Sequence, residues 1–408
     1  MKPSKFILAS TLALGFAGMA NAQTVIHITG STAFRAAAHA AIESILNTGF
    51  TGAYTGTALS SAGQAIFSGS TITGNIPVTI KTSWSGSVGG IIVLTQNLTV
   101  PDTAIGVSGG WLSNTLLPAS GVVGGVSGST IDTPVTADAS FSDSFQTSTI
   151  YPTPALTGAN GYTAGVVGVI PFEWVLGDYA PGTPPAAFTN VTSQLAQAAL
   201  LSVATLSQVT GNTADANTFV QIIGRDSDSG TRLETFAETG FGILKAPVQY
   251  DASISGGTIT SLDPWPGQFT DGTSYPAGTQ GYNSGGGVST ALNTPGMLTA
   301  ADNPGVLIGY LGISDANNVT NGTKLSFNGV PYTVANVQQG LYDFWAYEHV
   351  YYRTNYGTTS ANGKTVVDQI AAQIHNVAAD TNVSGILVGT MAVGRKVEGG
   401  TITPGNPF

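Results

Sequence analysis

The sequence predicts an α/β fold with helices flanking sheets of largely parallel strands. Apolar, β-rich runs alternate with helix-like runs along the chain. Several of the β-rich runs end in a short Gly/Ser/Thr turn, and no repeat of fixed period appears. The stretch beyond residue 22 is long enough for two domains.

Lys2 and Lys5 precede an apolar run from Phe6 to Met19, and Ala20-Asn21-Ala22 supplies small residues before Gln23. Residues 1–22 read as a cleavable signal peptide, too short and wrongly flanked for a membrane span. There is no cysteine, which removes disulfides, thiolate metal sites and a lipid-bearing Cys at the cleavage point. A soluble exported protein, periplasmic or secreted and without membrane insertion, is expected. Charged residues make up 8% of the chain, against roughly 25% in ordinary globular proteins. Past residue 22, ten basic residues face 22 acidic ones, a formal charge of −12. That balance argues against nucleic acid and anionic membranes as partners. It does not argue against a small anion, because local dipoles and one Arg decide the field inside a cleft.

Thr24-Val25-Ile26-His27-Ile28 alternates polar and apolar, as a strand does. Thr29-Gly30-Ser31-Thr32 then opens a helix running roughly from Ala33 to Leu46. Taken alone, Ser31 or Thr32 is an N-cap, and His27 is a packed or edge histidine. Residues 49–75 are Gly/Thr/Ser-rich and read as loop with short elements. Pro77–Thr82 is a strand, followed at once by Trp84-Ser85-Gly86-Ser87-Val88-Gly89-Gly90. That second turn either faces a ligand or makes a hairpin into Ile91–Leu94.

Residues 96–136 lack a helical period and read as an insertion. Within it, Gly106-Val107-Ser108-Gly109-Gly110 matches the G-x-S-x-G nucleophile pattern. Such a match is cheap in a chain with 54 glycines, and no strand–elbow–helix context surrounds it. The four histidines (His27, His39, His349, His375) show neither pairing with Ser108 nor metal-ligand spacing. No catalytic residue, metal or cofactor is therefore assigned.

Ala164–Phe172 reads as a buried strand, Pro181–Pro185 as a loop, Leu195–Val209 as helical and 250–281 as loop-rich. A helix starts at Gly285–Leu292, and Val306–Leu311 is strand-like. The aromatic run Tyr342–Tyr352, helical stretches near Val366–Val377 and a polar tail close the chain.

The stretch Gly224-Arg225-Asp226-Ser227-Asp228-Ser229-Gly230-Thr231 carries the most chemistry. The β-rich Thr218–Ile223 leads in, and the helix-like Arg232–Ala237 leads out. Strand, polar turn and helix N-terminus together point unpaired N–H groups at an anion. Ser229 and Thr231 add hydroxyl donors, Gly230 permits close approach, and Arg225 is a permanent planar cation. Ser, Asp and Gly also fill ordinary caps, so the turn alone leaves both readings open.

In order, Gly30-Ser31-Thr32, Gly86-Ser87-x-Gly-Gly, Ser142-Asp143 and Arg225-x-x-x-Ser229-Gly230-Thr231 resemble the periplasmic phosphate-binding proteins of ABC transporters. Gly309-Tyr310 and the segment around Gly340-Leu341-Tyr342 are also similar. The resemblance implies a type II periplasmic-binding fold, two α/β lobes of mixed sheets flanked by helices, joined by two hinge crossovers. Lobe I would be 23–170 and 313–408, with the insertion at about 96–136, and lobe II would be 171–312. It implies a monomeric, non-enzymatic protein that binds inorganic phosphate and hands it to an ABC permease. Thr32, the Ala33 amide (with Ser31 an adjacent alternative) and Ser87 would donate from lobe I. Asp143 would accept from a protonated phosphate oxygen, with Asp138 as a competitor. Arg225, Ser229, Gly230 and Thr231 would complete the shell. Where the family places an acid two positions after the Arg, this chain has Ser227. An alternative is a surface or matrix protein that keeps the fold without the ligand, in keeping with the low charge and long insertion.

Overall fold

A computed structural model describes residues 23–102, 109–127, 130–178, 186–265, 280–295, 305–376 and 385–408. The residues read as a signal peptide, Ser108 and the Pro181–Pro185 loop lie outside them. The elements that position the site are, in chain order, β1 (Thr24–Gly30), α1 (Arg35–Ile45), β2 (Thr51–Thr55), β3 (Gln64–Ser70), β4 (Pro77–Ser83) and α2 (Ser87–Gln96). β5 (Val123–Val126), β6 (Ala139–Ser142), β7 (Val166–Leu176), α3 (Ser193–Leu200), β8 (Phe219–Ile223) and α4 (Gly230–Glu238) come next. The last are α5 (Gly285–Asn293), β9 (Gly305–Gly312), α6 (Ile313–Asn317), β10 (Thr323–Phe327), β11 (Trp345–Arg353) and α7 (Ala361–Asn376).

One large mixed sheet runs through the molecule, and β7 is its spine. Val166–Pro171 pairs antiparallel with β11, from Val166↔His349 to Pro171↔Trp345. Phe172–Leu176 pairs instead with β9, starting at Phe172↔Gly312, and Trp174–Leu176 also pairs with β10. The strand therefore passes from one half of the sheet to the other. All its residues are buried, which suits its near-continuous apolar sequence. In the first half the order continues β7-β11-β6-β1-β4-β3-β2-β5. β6, β1 and β4 are parallel there, whereas β3 and β11 run against their neighbours. In the second half β8 lies parallel to β9.

The sheet is mixed, as the type II fold implies, where strand–helix alternation alone suggests largely parallel strands. Three local expectations change. Residues 49–75 hold two paired strands, β2 and β3, in which buried residues come in short consecutive runs with no period of two to read. Ile91–Leu94 is helical, inside α2, and every residue from Ser87 to Thr95 is buried. A helix covered on all sides has no amphipathic period to read. Part of the 96–136 stretch also joins the sheet, as β5 beside β2, while Trp111 and Leu112 are fully buried.

β10 pairs with the second half of β7, so residues 313–343 sit with the second half of the sheet. The chain returns to the first half at the fully buried Tyr342, Phe344 and Trp345. Tyr342 donates to the Phe172 carbonyl at 2.7 Å, which binds the two crossings side by side. α1 and α7 pack on each other and α2 packs on β6, covering the first half. Among the described residues no helix is long and apolar enough to cross a membrane.

Candidate functional site

Four loops from different parts of the sequence meet where the two halves of the sheet face each other. Each follows a strand, and the long-range pairing of those strands brings the loops together. The first runs from β1 into α1. Ser31 N–H donates to the Phe141 carbonyl at 2.9 Å, and its Oγ accepts from Phe34 N–H at 3.2 Å in the turn that precedes α1. Ser31 is thus spent on local structure, while Thr32 faces the opposite half.

The second loop runs from β4 into α2. Gly86 has φ +95° and donates to the Gly30 carbonyl at 2.8 Å. A Cβ here would lie on top of the Asp228 carbonyl oxygen, so backbone conformation and close approach both demand glycine. Ser87 then begins α2.

The third loop follows β6 and carries Asp143, which is 1% exposed. Ser87 hydrogen-bonds its carboxyl. Its Oδ1 has no hydrogen-bond partner and sits directly over Gly230, so closely that a Cβ on Gly230 would overlap it. Gly230 is the first residue of α4. The carboxyl of one half of the sheet therefore rests on the positive helix end of the other. Burial pushes Asp143 up to about 6 even so, with the Ser87 hydrogen bond and the Arg225 charge pulling the other way. Asp138 lies elsewhere, accepting from His27 N–H at 2.8 Å.

The fourth loop runs from β8 into α4. Arg225 is buried, and its Nη2 reaches Thr32 Oγ1 at 3.3 Å across the two halves. Its Nε donates to the Tyr282 carbonyl at 3.0 Å and its Nη2 to the Asn283 carbonyl at 3.1 Å. Its own amide donates to Tyr310 Oη at 3.0 Å, and Gln249 Nε2 donates to its carbonyl at 2.9 Å. Tyr310 in turn hydrogen-bonds Gln249. Ser229 caps α4 through Arg232 N–H at 3.2 Å, and Thr231 is buried in the first turn.

Thr32, Ser87, Asp143, Arg225, Ser229, Gly230 and Thr231 thus gather around one junction, with Ala33 at its edge. Two oxygens of the chain itself occupy its helix ends. The Asp228 carbonyl accepts from Val88 N–H at 2.9 Å and Gly89 N–H at 3.2 Å at the start of α2. The Asp143 carboxyl fills the start of α4. Both contacts span the two halves of the sheet, so the junction is closed.

Sequence reasoning missed two features. Arg232 is buried, donates to the Arg225 carbonyl at 3.1 Å and to Gln280 Oε1 at 3.1 Å, and lies 5.1 Å from the centre of the Phe236 ring. Burial lowers its pKa, opposed by Tyr310, Asp226 and Asp228. The R-D-S-D-S-G-T-R run holds two arginines, and that was the available signal. The second feature is a buried acidic cluster behind the site. Arg395 from the C-terminal segment meets Glu234 at 3.2 Å and also Glu238, while Glu398 Oε1 accepts from Phe145 N–H at 2.5 Å. Burial raises Glu398 to about 7. Among the described residues no cluster of three or more His, Asp or Glu is placed to hold a metal ion.

Fold and site together define an α/β protein with a buried, hydrogen-bonded junction between two halves of a mixed sheet. No family model and no curated protein matches the chain. Among solved structures, it is similar to an ABC-type phosphate transport receptor from Vibrio cholerae, with 12% identity, a TM-score of 0.45, and 89% of this chain and 99% of that one covered. PstS from Borrelia burgdorferi matches with 15% identity, a TM-score of 0.35, and 85% and 97% covered. A possible phosphate binding protein from Planctomyces limnophilus matches with 12% identity, a TM-score of 0.39, and 90% and 93% covered. All three TM-scores lie below 0.5.

Proposed function

We propose that this chain is an exported solute-binding protein that holds inorganic phosphate at the junction of two lobes and serves ABC-type uptake. The observation that carries the proposal is the convergence of Thr32, Ser87, Asp143, Arg225 and the Gly230 helix end on one buried spot. Taking an oxyanion from water requires many donors at once. Charge-assisted hydrogen bonds contribute roughly 1.5–3 kcal/mol each, and a helix N-terminus adds about 0.3–1 kcal/mol. Three helix ends plus one Arg reach that scale, and a single turn does not.

Lobe I is 23–170 with the C-terminal strand and helix, and lobe II begins at 171 and ends near the Tyr342–Trp345 crossing. Opening turns on the two crossings and separates the Asp228 and Asp143 contacts. The anion then enters, takes the amides of Val88 and Gly89 from the Asp228 carbonyl, and meets Arg225 from the other side. Asp143 provides selection: an ionised carboxylate accepts from the proton that phosphate keeps near neutral pH and repels sulfate, which has none. The protein acts by binding, as a periplasmic or secreted monomer beside a permease.

A second reading has its own support. Because the Asp228 carbonyl already satisfies the start of α2 and the Asp143 carboxyl already lies against Gly230, a surface or matrix protein with a permanently shut cradle fits the same contacts. Calorimetric titration with phosphate and with sulfate separates the two. Saturable phosphate binding with sulfate at least about tenfold weaker supports the binding protein. Equal affinities remove the role given to Asp143, and no heat with either anion supports the shut cradle.

A further inference from the structure

A polar cavity of about 290 Å³ lies where the start of α1 faces α6. It is far larger than the roughly 10–15 Å³ that one water requires by the same measure. Arg35 lines it from the first half of the sheet. Ser314 and Asp315 of α6, with Asn318 just beyond, line it from the second, and the Ser60-Ser61 turn closes the rim.

Arg35 is the first residue of α1, where a cation opposes the helix dipole. Burial lowers its pKa, and the Arg225 charge lowers it further, with Asp315 easing both from across the cavity. Among the described residues its side chain donates no hydrogen bond and forms no ion pair. The fold thus places a guanidinium where it costs stability and gives it no acceptor. Its planar fork of donors matches a carboxylate.

Asp315 is the complement. Its Oδ2 lies so close to Gly285 that a Cβ there would overlap it, and Gly285 begins α5. That helix end, Arg35 and Arg225 favour the ionised carboxyl, against the burial that raises its pKa. Among the described residues no side chain donates to it. Arg35 and Asp315 therefore face one space without pairing. A simple anion would meet Arg35 but be repelled by Asp315, and a simple cation the reverse. A molecule that carries both charges satisfies both residues. The hydroxyl and amide groups of Ser60, Ser61, Ser314 and Asn318 suit a polar, uncharged remainder.

We infer that this cavity is a second ligand site, for a small polar amino acid in its zwitterionic form, with the carboxylate on Arg35 and the ammonium on Asp315. The inference does not rest on the anion cradle, since neither residue belongs to that shell.

The test is calorimetric titration of the full chain with glycine, L-serine and L-glutamine. At least one should bind saturably with a Kd below about 0.1 mM, and failure of all three to do so overturns the inference. For the tightest of them, the N-acetyl analogue lacks the ammonium and the amide analogue lacks the carboxylate. Each should bind about tenfold or more weaker, and an analogue as tight as its parent overturns the inference. Arg35→Gln should weaken the amino acid by about tenfold or more, yet leave the amide analogue within about threefold of its native affinity, because that analogue has no carboxylate to lose. Asp315→Asn should do the same with the N-acetyl analogue. Equal losses for parent and analogue in both variants mark a merely structural role and overturn the assignment. Should the variants fail to fold, the native protein's response to the two analogues decides.

Discussion

Replacing Asp143 by Asn changes one atom and removes one charge, and its consequence can be worked from the structure. The carboxyl is 1% exposed and lies against the first residue of α4. Burial takes its pKa from 3.8 to about 6, so the native state holds this proton more tightly than the unfolded chain. Below about pH 4 both states are protonated and the group is neutral to stability. Between about pH 4 and 6 the unfolded state releases its proton first, and stability falls as pH rises. A difference of about two pH units at 1.36 kcal/mol each gives a loss of roughly 3 kcal/mol, fully present by pH 7. The amide of Asp143→Asn has nothing to ionise. The variant should therefore match the native protein near pH 4 and exceed it by up to roughly 3 kcal/mol above pH 7, a rise of several degrees in Tm. Calorimetric unfolding at pH 4, 6 and 8, in buffer free of phosphate and sulfate, measures this. The same variant should lose discrimination between phosphate and sulfate, because an amide donates to either anion. Parallel stability curves for the two proteins across that pH range would refute the buried, closed placement of Asp143.

Arg225→Ala should weaken phosphate binding by about a hundredfold or more, the loss of one to two charge-assisted hydrogen bonds. It should cost about 1–3 kcal/mol of stability through the abandoned Tyr282 and Asn283 carbonyls, which titration and thermal unfolding read separately. Gly86→Ala places a Cβ against the Asp228 carbonyl at φ +95°. It should destabilise the closed protein by about 1–3 kcal/mol, and small-angle scattering should show a larger radius of gyration than the native protein has. Glu398→Gln removes a carboxyl that burial raises from 4.5 to about 7. Native stability due to this group falls as pH climbs through that window, so the variant's stability should vary less between pH 5 and 8. An unchanged profile would mean that the C-terminal segment does not close over Phe145.

How much of this was legible depends on whether partners are near in sequence. The run from Thr218 to Ala237 reads as strand, turn and helix, and β8 and α4 occupy it. Ser229 also serves as the ordinary cap that the bland reading gave it. Thr24–Ile28 and Val306–Leu311 showed themselves by composition and fall within β1 and β9. β2 and β3 did not, because their buried residues, Gly52-Ala53 and Ala65-Ile66-Phe67, are consecutive and lack the alternation that marks a half-buried strand. α2 did not, since burial on every side leaves no polar face. The closing contacts were beyond local reading altogether. Val88 and Gly89 meet Asp228, Asp143 meets Gly230, and Phe145 meets Glu398, pairs that tertiary folding alone unites. The pairing of β10 with Trp174–Leu176 was equally out of local reach.

The central claim is that a tetrahedral anion replaces the chain's own oxygens at two facing helix ends. A crystal structure grown with millimolar phosphate tests it most directly. Tetrahedral density touching Thr32, Ser87, Arg225 and the Gly230 amide, with Asp143 on a phosphate oxygen and the Asp228 carbonyl displaced from Val88 and Gly89, is the predicted result. The same crystal with those two amides still bonded to Asp228, and no anion between the halves, would contradict it.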